Sequence, residues 1–385
     1  MKMPILGGGV PASSYPCSDG KHRGLLWKPV YNILEGDFNV LVVNAQHLKA
    51  VPGRKTDVKD AEWIAQLLQH GLGRGSFIPD RAQRDLRDLT RHRTGLVRDR
   101  ARVVQRIHKV LEDTNLKLAS VATDIVGLSA RAMLERLLSG ESDPAVLAGL
   151  AKGRLRQKRD ALEAALEGVL RPHNQFLLVE LLAQLDYLEE AVERVSGKIQ
   201  KYTAPFQQEI EHLDTIPGIN RIQAETLLAE VGTDVSRFPT AGHLSSWAGV
   251  CPGNDESAGK RRSDKIRKGS PWLRTALVEA AHGAGRTKST YLGAQYRRLA
   301  PRRGKKKALV AIAHSILVIV YHVLSRKEPY HDLGSNYFDE RDRVRVEKRL
   351  SRRLERLGYS VTLEPVETTA CPVFSGEIAK SGFCS

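Results

Sequence analysis

The sequence predicts an α/β piece followed by a longer, mostly helical remainder, an α/β + α chain. Three observations carry this. One strand-like apolar run, "NVLVVNA" from Asn39 to Ala45, sits between two helix-like runs near the start. A heptad seam runs from Leu178 to Tyr202. Beyond it, Pro217-Gly218 joins two further helical runs.

In chain order, residues 1–24 are rich in Gly, Pro and Ser without a helical or strand period, so they read as irregular. "LLWKPVYNILE" from Leu25 reads as a helix and the run from Asn39 as a buried, parallel-type strand. "AVPGRKT" is a loop into a helix that opens at Asp57. There Asp57 and Asp60 stand three apart before Ile64, Leu67 and Leu68. An N-cap Asp with a second acid in the first turn is an ordinary helix start. The same spacing puts both carboxylates on one helix face, where they could share a Mg²⁺ ion.

From Asp80 to His108 the chain is helical and basic, with Arg81, Arg84, Arg87, Arg91, Arg93, Arg98, Arg100, Arg102 and Arg106. Such spacing can track a phosphate backbone or form a solvated face laced with Asp85, Asp88 and Asp99. Leu178, Leu181, Leu185, Leu188, Val192, Val195, Ile199 and Tyr202 form the a/d seam, and Leu155, Leu162, Leu166 and Val169 a looser one. "RPHN" at Arg171 separates them. The expectation is an antiparallel coiled-coil hairpin between these two segments, acting as a spacer or as an arm that makes a homo-oligomer.

"LDTIPGINRIQAETLLAEVG" from Leu213 fits a helix–hairpin–helix, with Pro217 and Gly218 at a turn that could approach a DNA phosphate, or a plain turn between helices. The next stretch reads as a polar, glycine-rich loop and a basic arm. Ser257 lies in "ESAGK", followed by Lys260, Arg261, Arg262, Lys265, Arg267 and Lys268. A cationic surround suits a phosphodiester and the charge that develops on it, although no histidine adjoins Ser257 to act as base. Ala308 to Leu324 approaches membrane-span length but contains His314, Ser315 and His322, which favours a buried core helix and no membrane partner. The expected divisions are 1–24, 25–80, 81–212, 213–330 and 331–385, the last a basic helix and an unstructured tail.

Composition narrows the function classes. The 385 residues carry 60 basic and 44 acidic side chains, a net charge of +16 that points to a polyanionic partner, nucleic acid first. An apolar fraction of 41% excludes a wholly disordered chain. Cys17, Cys251, Cys371 and Cys384 are too scattered for a zinc site or a disulfide framework, so a cytoplasmic, nucleoid-associated protein is expected.

Together, "WKPVYNILEG…VLVVNAQHLKAVPGRKTDVKDAEWIAQLLQHGL" and "LDTIPGI…ETLLAEVG…FPTAGHLSSWAGVCPGNDESAGKRRS…RKGSPWLRTALVEAA" resemble the DEDD-type insertion-sequence transposases of the IS-one-ten family, over about residues 25–363. The resemblance implies an RNase H-like (RuvC-like) domain with an Asp-Glu-Asp-Asp metal tetrad, here partial, and a helical domain bearing a serine nucleophile. It implies DNA transposition through a phosphoserine intermediate, with Mg²⁺ as cofactor and an element-encoded guide RNA as partner. Residue by residue, Asp57 and Asp60 match the last two tetrad acids and Ser257 the nucleophile. Lys21 stands where the family has Glu, and no strand ending in Asp precedes it. The expectation is a copy whose start was lost by truncation or frameshift, with Mg²⁺ binding weakened. Two other readings stay open: a DNA- or RNA-binding remnant without catalysis, and a metal-dependent junction nuclease.

Overall fold

The computed structural model describes residues 27–43, 66, 69–71, 75–252, 255–257, 260–263, 266 and 269–364. The chain divides into two compact units, Met1–Pro205 and Phe206–Ser385.

In the N-terminal unit the described helices are α1 (Trp27–Leu34), α2 (Arg81–Asp113), α3 (Leu118–Val121), α4 (Leu128–Leu138), α5 (Pro144–Ala148), α6 (Arg159–Ala165) and α7 (Pro172–Thr203). Asp80 starts α2 as its N-cap, accepting a hydrogen bond from the Gln83 N–H at 2.7 Å. The expected coiled-coil hairpin does not form; α7 joins a different antiparallel helix pair. α7 packs along α2, not along residues 155–169. The two run antiparallel: Arg100 pairs with Glu189 at 2.6 Å, and the Val169 N–H donates to the Thr114 carbonyl at 3.2 Å. The segment assigned to the looser seam breaks into a 3₁₀ turn over Gly153–Lys158 and the short α6. Two turns cannot span a partner of 32 residues. Leu162 and Leu166 instead enter a core with Ile107, Leu111, Met133, Leu147 and Leu178.

The α7 stripe also departs from a strict heptad. Leu178, Leu182, Leu185, Leu188, Ala191 and Ile199 are buried, whereas Leu181 is only half-buried. This is the 3.6-residue drift of a straight helix on a globular core. The seam, expected to act as a spacer or as an oligomerisation arm, lies against α2 within the chain.

The expected strand is corrected. Among the described residues the run from Asn39 makes one isolated antiparallel bridge, Val43 to Gly75, and Leu41 is exposed. An apolar run becomes a buried parallel strand only with neighbours on both sides, and the described residues supply none.

The C-terminal unit holds α8 (Gln207–Asp214), α9 (Arg221–Val231), α10 (Ala241–Ala248), a hairpin of β1 (Asp255–Ser257) and β2 (Lys260–Ser263), then α11 (Pro271–Arg286), α12 (Tyr291–Arg303), α13 (Lys305–Arg326), α14 (Tyr337–Arg341) and α15 (Arg343–Glu355). α13 is long and apolar enough to cross a membrane. Its apolarity is accounted for by packing: α10, α11 and α12 lie against it, and Ile312, Ala313, Ile316, Leu317 and Val320 are fully buried.

Burial on α13 holds the His314 imidazole below its ordinary value; burial, then the Arg326 charge, does the same to His322. Depressed folded-state values mean that the unfolded chain binds more protons, so this stabilisation is complete above the ordinary histidine value of about 6.5 and is lost as pH falls through the folded values. Thermal unfolding of the C-terminal unit is therefore expected to move to lower temperature between about pH 7 and pH 5, and His314→Leu to flatten that dependence. A melting temperature flat across this range in the parent protein would refute the assignment.

Candidate active site and nucleic-acid interface

The stretch around Ser257 is not a loop with a trailing arm, as its polar composition suggested, but an antiparallel hairpin. Asp255 pairs with Ser263, Glu256 with Arg261 and Ser257 with Lys260. β2 advances two residues between the first two pairs while β1 advances one, so Arg262 is the extra residue of a bulge. Ser257 therefore ends β1, directly across the ladder from Lys260. An isolated bridge between Pro252 and Ile266 extends the pairing toward the base.

That base is fixed by close main-chain packing, a serine cap and one buried glutamate. α10 ends at Gly249 in the left-handed conformation, with φ of 71°. The returning chain passes Gly269, where a Cβ would lie 2.2 Å from the Ala248 carbonyl oxygen. Only glycine permits backbones this close. One residue on, Ser270 caps α11: its hydroxyl accepts from the Leu273 N–H at 3.4 Å and donates to Glu230 Oε2 at 3.1 Å. Glu230 is buried on α9, so the cap is anchored to a second helix. Sequence reasoning missed Gly269, Ser270 and Glu230 as determinants of this site. The Ser-Pro pair at Ser270-Pro271 is a helix-start signal and was the available clue.

The turn at Pro217-Gly218 joins α8 to α9 as expected. Gly218 has φ of +87°, and Asn220 and Gln223 close a capping box behind it. The glycine also meets a structural demand: a Cβ there would lie 2.2 Å from the Ala280 carbonyl oxygen of α11. Gly283 returns the fit, since its own Cβ would meet Gly218 Cα at 3.1 Å.

On α2 the arginines divide. Arg84 is buried, gives 2.7 Å hydrogen bonds to both oxygens of Glu35, and lies 5.1 Å from the centre of the Tyr31 ring. Arg93 is also buried. Arg84 ties α2 to the segment that follows α1, and both arginines are withdrawn from any phosphate, which corrects part of the expected backbone-tracking row. Arg81, Arg98, Arg102 and Arg106 are exposed.

Asp57, Asp60, Arg267 and Lys268 lie outside the described residues. Lys260, Arg261 and Arg262 are placed by their backbone in β2. Among the described residues no group of three or more His, Cys, Asp or Glu is arranged to hold a metal ion.

With this geometry in place, the comparisons have a structural frame. Residues 210–297 match the model of the Transposase IS116/IS110/IS902 family, and residues 21–116 match a second model, described as Transposase, of the DEDD type of IS110 elements. These two matches support an IS110-family transposase. It is 27% identical over 300 residues to the transposase for insertion sequence element IS1111A of Coxiella burnetii, covering 75% of this chain and 72% of that one. It is 26% identical over 284 residues to a "Probable family 20 transposase" of Pseudomonas aeruginosa, covering 73% and 75%. A shorter likeness, 31% over 121 residues, links 31% of the chain to 37% of a pilin gene-inverting protein of Moraxella bovis. The relatives support an enzyme by family, that family implies DNA binding, and the DEDD type suggests use of a divalent metal. The first model contains the whole serine hairpin, its Gly269–Ser270 base and the Gly218 turn.

Gly218→Ala combines backbone strain with overpacking, each on the order of 1–3 kcal/mol, and is expected to lower stability by roughly 2–6 kcal/mol in chemical denaturation. Gly269→Ala, strained by contact alone, is expected to cost less, about 1–3 kcal/mol. Either variant melting like the parent would show that the backbone contact is not formed in solution.

Proposed function

We propose that this chain acts in DNA transposition by cleaving and rejoining DNA strands, with Ser257 as the nucleophile. The observation that supports this best is the position of Ser257 at the end of β1 opposite Lys260, inside the transposase match and beside six cations between Lys260 and Lys268. In cleavage the serine oxygen forms a bond to phosphorus while the bond from phosphorus to the sugar oxygen breaks. The serine proton leaves to solvent or base, and the sugar departs as a free hydroxyl. The phosphoserine keeps the bond energy, so attack by another strand's hydroxyl rejoins DNA without an external energy source. Lys260, Arg261, Arg262, Arg267 and Lys268 hold the phosphodiester and offset its charge. The Pro217-Gly218 turn adds a backbone contact to a neighbouring phosphate.

Asp57 and Asp60 are proposed as metal ligands, with Mg²⁺ the ion their oxygen donors suit; when bound it supplies charge neutralisation at the scissile phosphate. An element-encoded guide RNA shares the remaining basic surface. Lys21, where the family has Glu, favours a second reading in which the chain binds DNA or RNA without cutting it.

The test is a denaturing gel with labelled element-end DNA, the element's RNA and Mg²⁺. A covalent protein–DNA band is expected from the parent protein. Ser257→Ala should abolish it and reduce cleavage by at least about 10³-fold, the scale of losing a nucleophile. Cleavage that survives Ser257→Ala but not metal chelation would favour the junction nuclease. Salt-dependent binding with no cleavage by the parent would favour the remnant.

A further inference from the structure

Away from the serine hairpin, the C-terminal unit contains an open cleft of about 1460 Å³ between α12 and α15. Ten arginines and lysines line it against two aspartates. One aspartate is already neutralised: Asp342 sits 3.2 Å from Arg298 and 3.7 Å from Arg341. Arg297 spends its hydrogen bonds on the Thr287 and Lys288 carbonyls, at 3.0 and 2.7 Å, which leaves its charge uncompensated. On α15 and its C-cap, Arg345, Arg349, Arg352 and Arg356 recur every three or four residues, all exposed and without a carboxylate partner among the described residues. The row runs about 16 Å along the helix, long enough to face several successive phosphates. Cations crowded this densely repel one another, and the arrangement is relieved by a polyanion rather than by single counter-ions.

The one aromatic ring among the cleft's lining residues, Phe338, is occupied. Phe338 stacks on Tyr291, with centroids 5.1 Å apart and planes 18° apart, while Arg298 covers Phe338 at 5.3 Å. Phe338 is thus not left open to stack on an unpaired base, as a single-strand groove requires. Eight of the ten lining cations are arginine, whose planar fork suits phosphate oxygens. Nearly all of it, from Arg298 onward, lies beyond the residue 297 limit of the transposase family match.

We infer that the α12–α15 cleft is a second, sequence-independent site for the backbone of duplex DNA, separate from the serine hairpin. The choice of DNA rests on the transposase reading; the backbone-binding chemistry does not. The experiment is fluorescence anisotropy of the full-length protein with a labelled mixed-sequence duplex across a salt series, alongside an RNA hairpin of equal length. Arg349→Glu/Arg353→Glu should weaken duplex binding by at least about 10-fold near 100 mM salt and lower the log–log salt slope by about 1–2. Arg349→Gln/Arg353→Gln should fall between this and the parent, with unchanged thermal unfolding because α15 is exposed and Gln and Glu are good helix formers. Ser257→Ala should bind duplex as the parent does. Unchanged affinity and slope in the Glu variant would overturn the inference and leave the proposed chemistry standing. Loss of RNA binding alone would overturn the assignment to DNA. Parent-like cleft binding with no Ser257-dependent cleavage would support the inference while the catalytic reading failed.

Discussion

Backbone packed on backbone, with no side chain between, is the constraint on which the C-terminal unit depends. α11 and its approach carry two such contacts: Gly218 lies on Ala280, Gly283 and Ala284, and Gly269 lies on Ala248 and Gly249. The first docks the turn between α8 and α9. The second closes the base of the hairpin that bears Ser257. From Ser270 to Gly283 the helix rises about 20 Å, so one rigid element sets the separation of the turn and the hairpin. A methyl group at either glycine would have to displace main chain, which a packed interior resists. Ser270 and Glu230 add a polar lock at the start of α11, tying it to α9.

The net charge of +16 is not spread as a uniform coat. Arg84 and Arg93 are buried in the N-terminal unit, where Arg84 gives a bidentate bond to a carboxylate. Arg100 and Arg131 bridge helices through Glu189 and Asp186. Hydrogen bonds and charge from Glu135 and Asp186 more than offset the burial of Arg131 and raise its already high value. Cations of this kind stiffen the scaffold and contribute little to a polyanion's field. The α15 row is of the opposite kind, exposed and without carboxylate partners among the described residues. Counting arginines in the sequence cannot separate the two, because the difference lies in whether another part of the chain brings an acid within reach.

The legible parts of the fold were those with local causes. Asp80 before a long amphipathic run gave α2 its start, and the leucine stripe gave α7 almost its full length. Ala308 to Leu324 read correctly as a core helix because His314 and His322 interrupt it. What failed depended on distant partners. The stripe on α7 does not state which segment covers it, and adjacency in sequence favoured residues 155–169 over α2, some 60 residues further upstream. The run from Asn39 has strand composition but, among the described residues, only one bridge to Gly75. The serine hairpin was hidden for another reason. Strands betray themselves by alternating apolar residues, and "DES" and "KRRS" bury no apolar face. Chemical labels are visible in a different way: small and basic neighbours single out Ser257 as a candidate, whereas Gly269 and Glu230 carry no such label.

A two-stranded ladder of three or four residues is at best marginally stable in water. Here β2 also places Lys260, Arg261 and Arg262 consecutively, which adds repulsion along the strand. The hairpin therefore cannot owe its order to its own pairing. Its order comes from the ends: the Gly249 reversal, the Gly269 contact and the Ser270 cap held by buried Glu230. The residues suited to phosphate chemistry and those that position them are thus separate sets. The first is cationic, at the tip, and free to change with the nucleic acid it meets. The second is small and uncharged but for one buried glutamate, and it cannot change without moving the main chain. A transposase that must hold a highly charged substrate without destabilising itself gains from that division, because the repulsion among the cations falls on a segment whose anchorage does not depend on them.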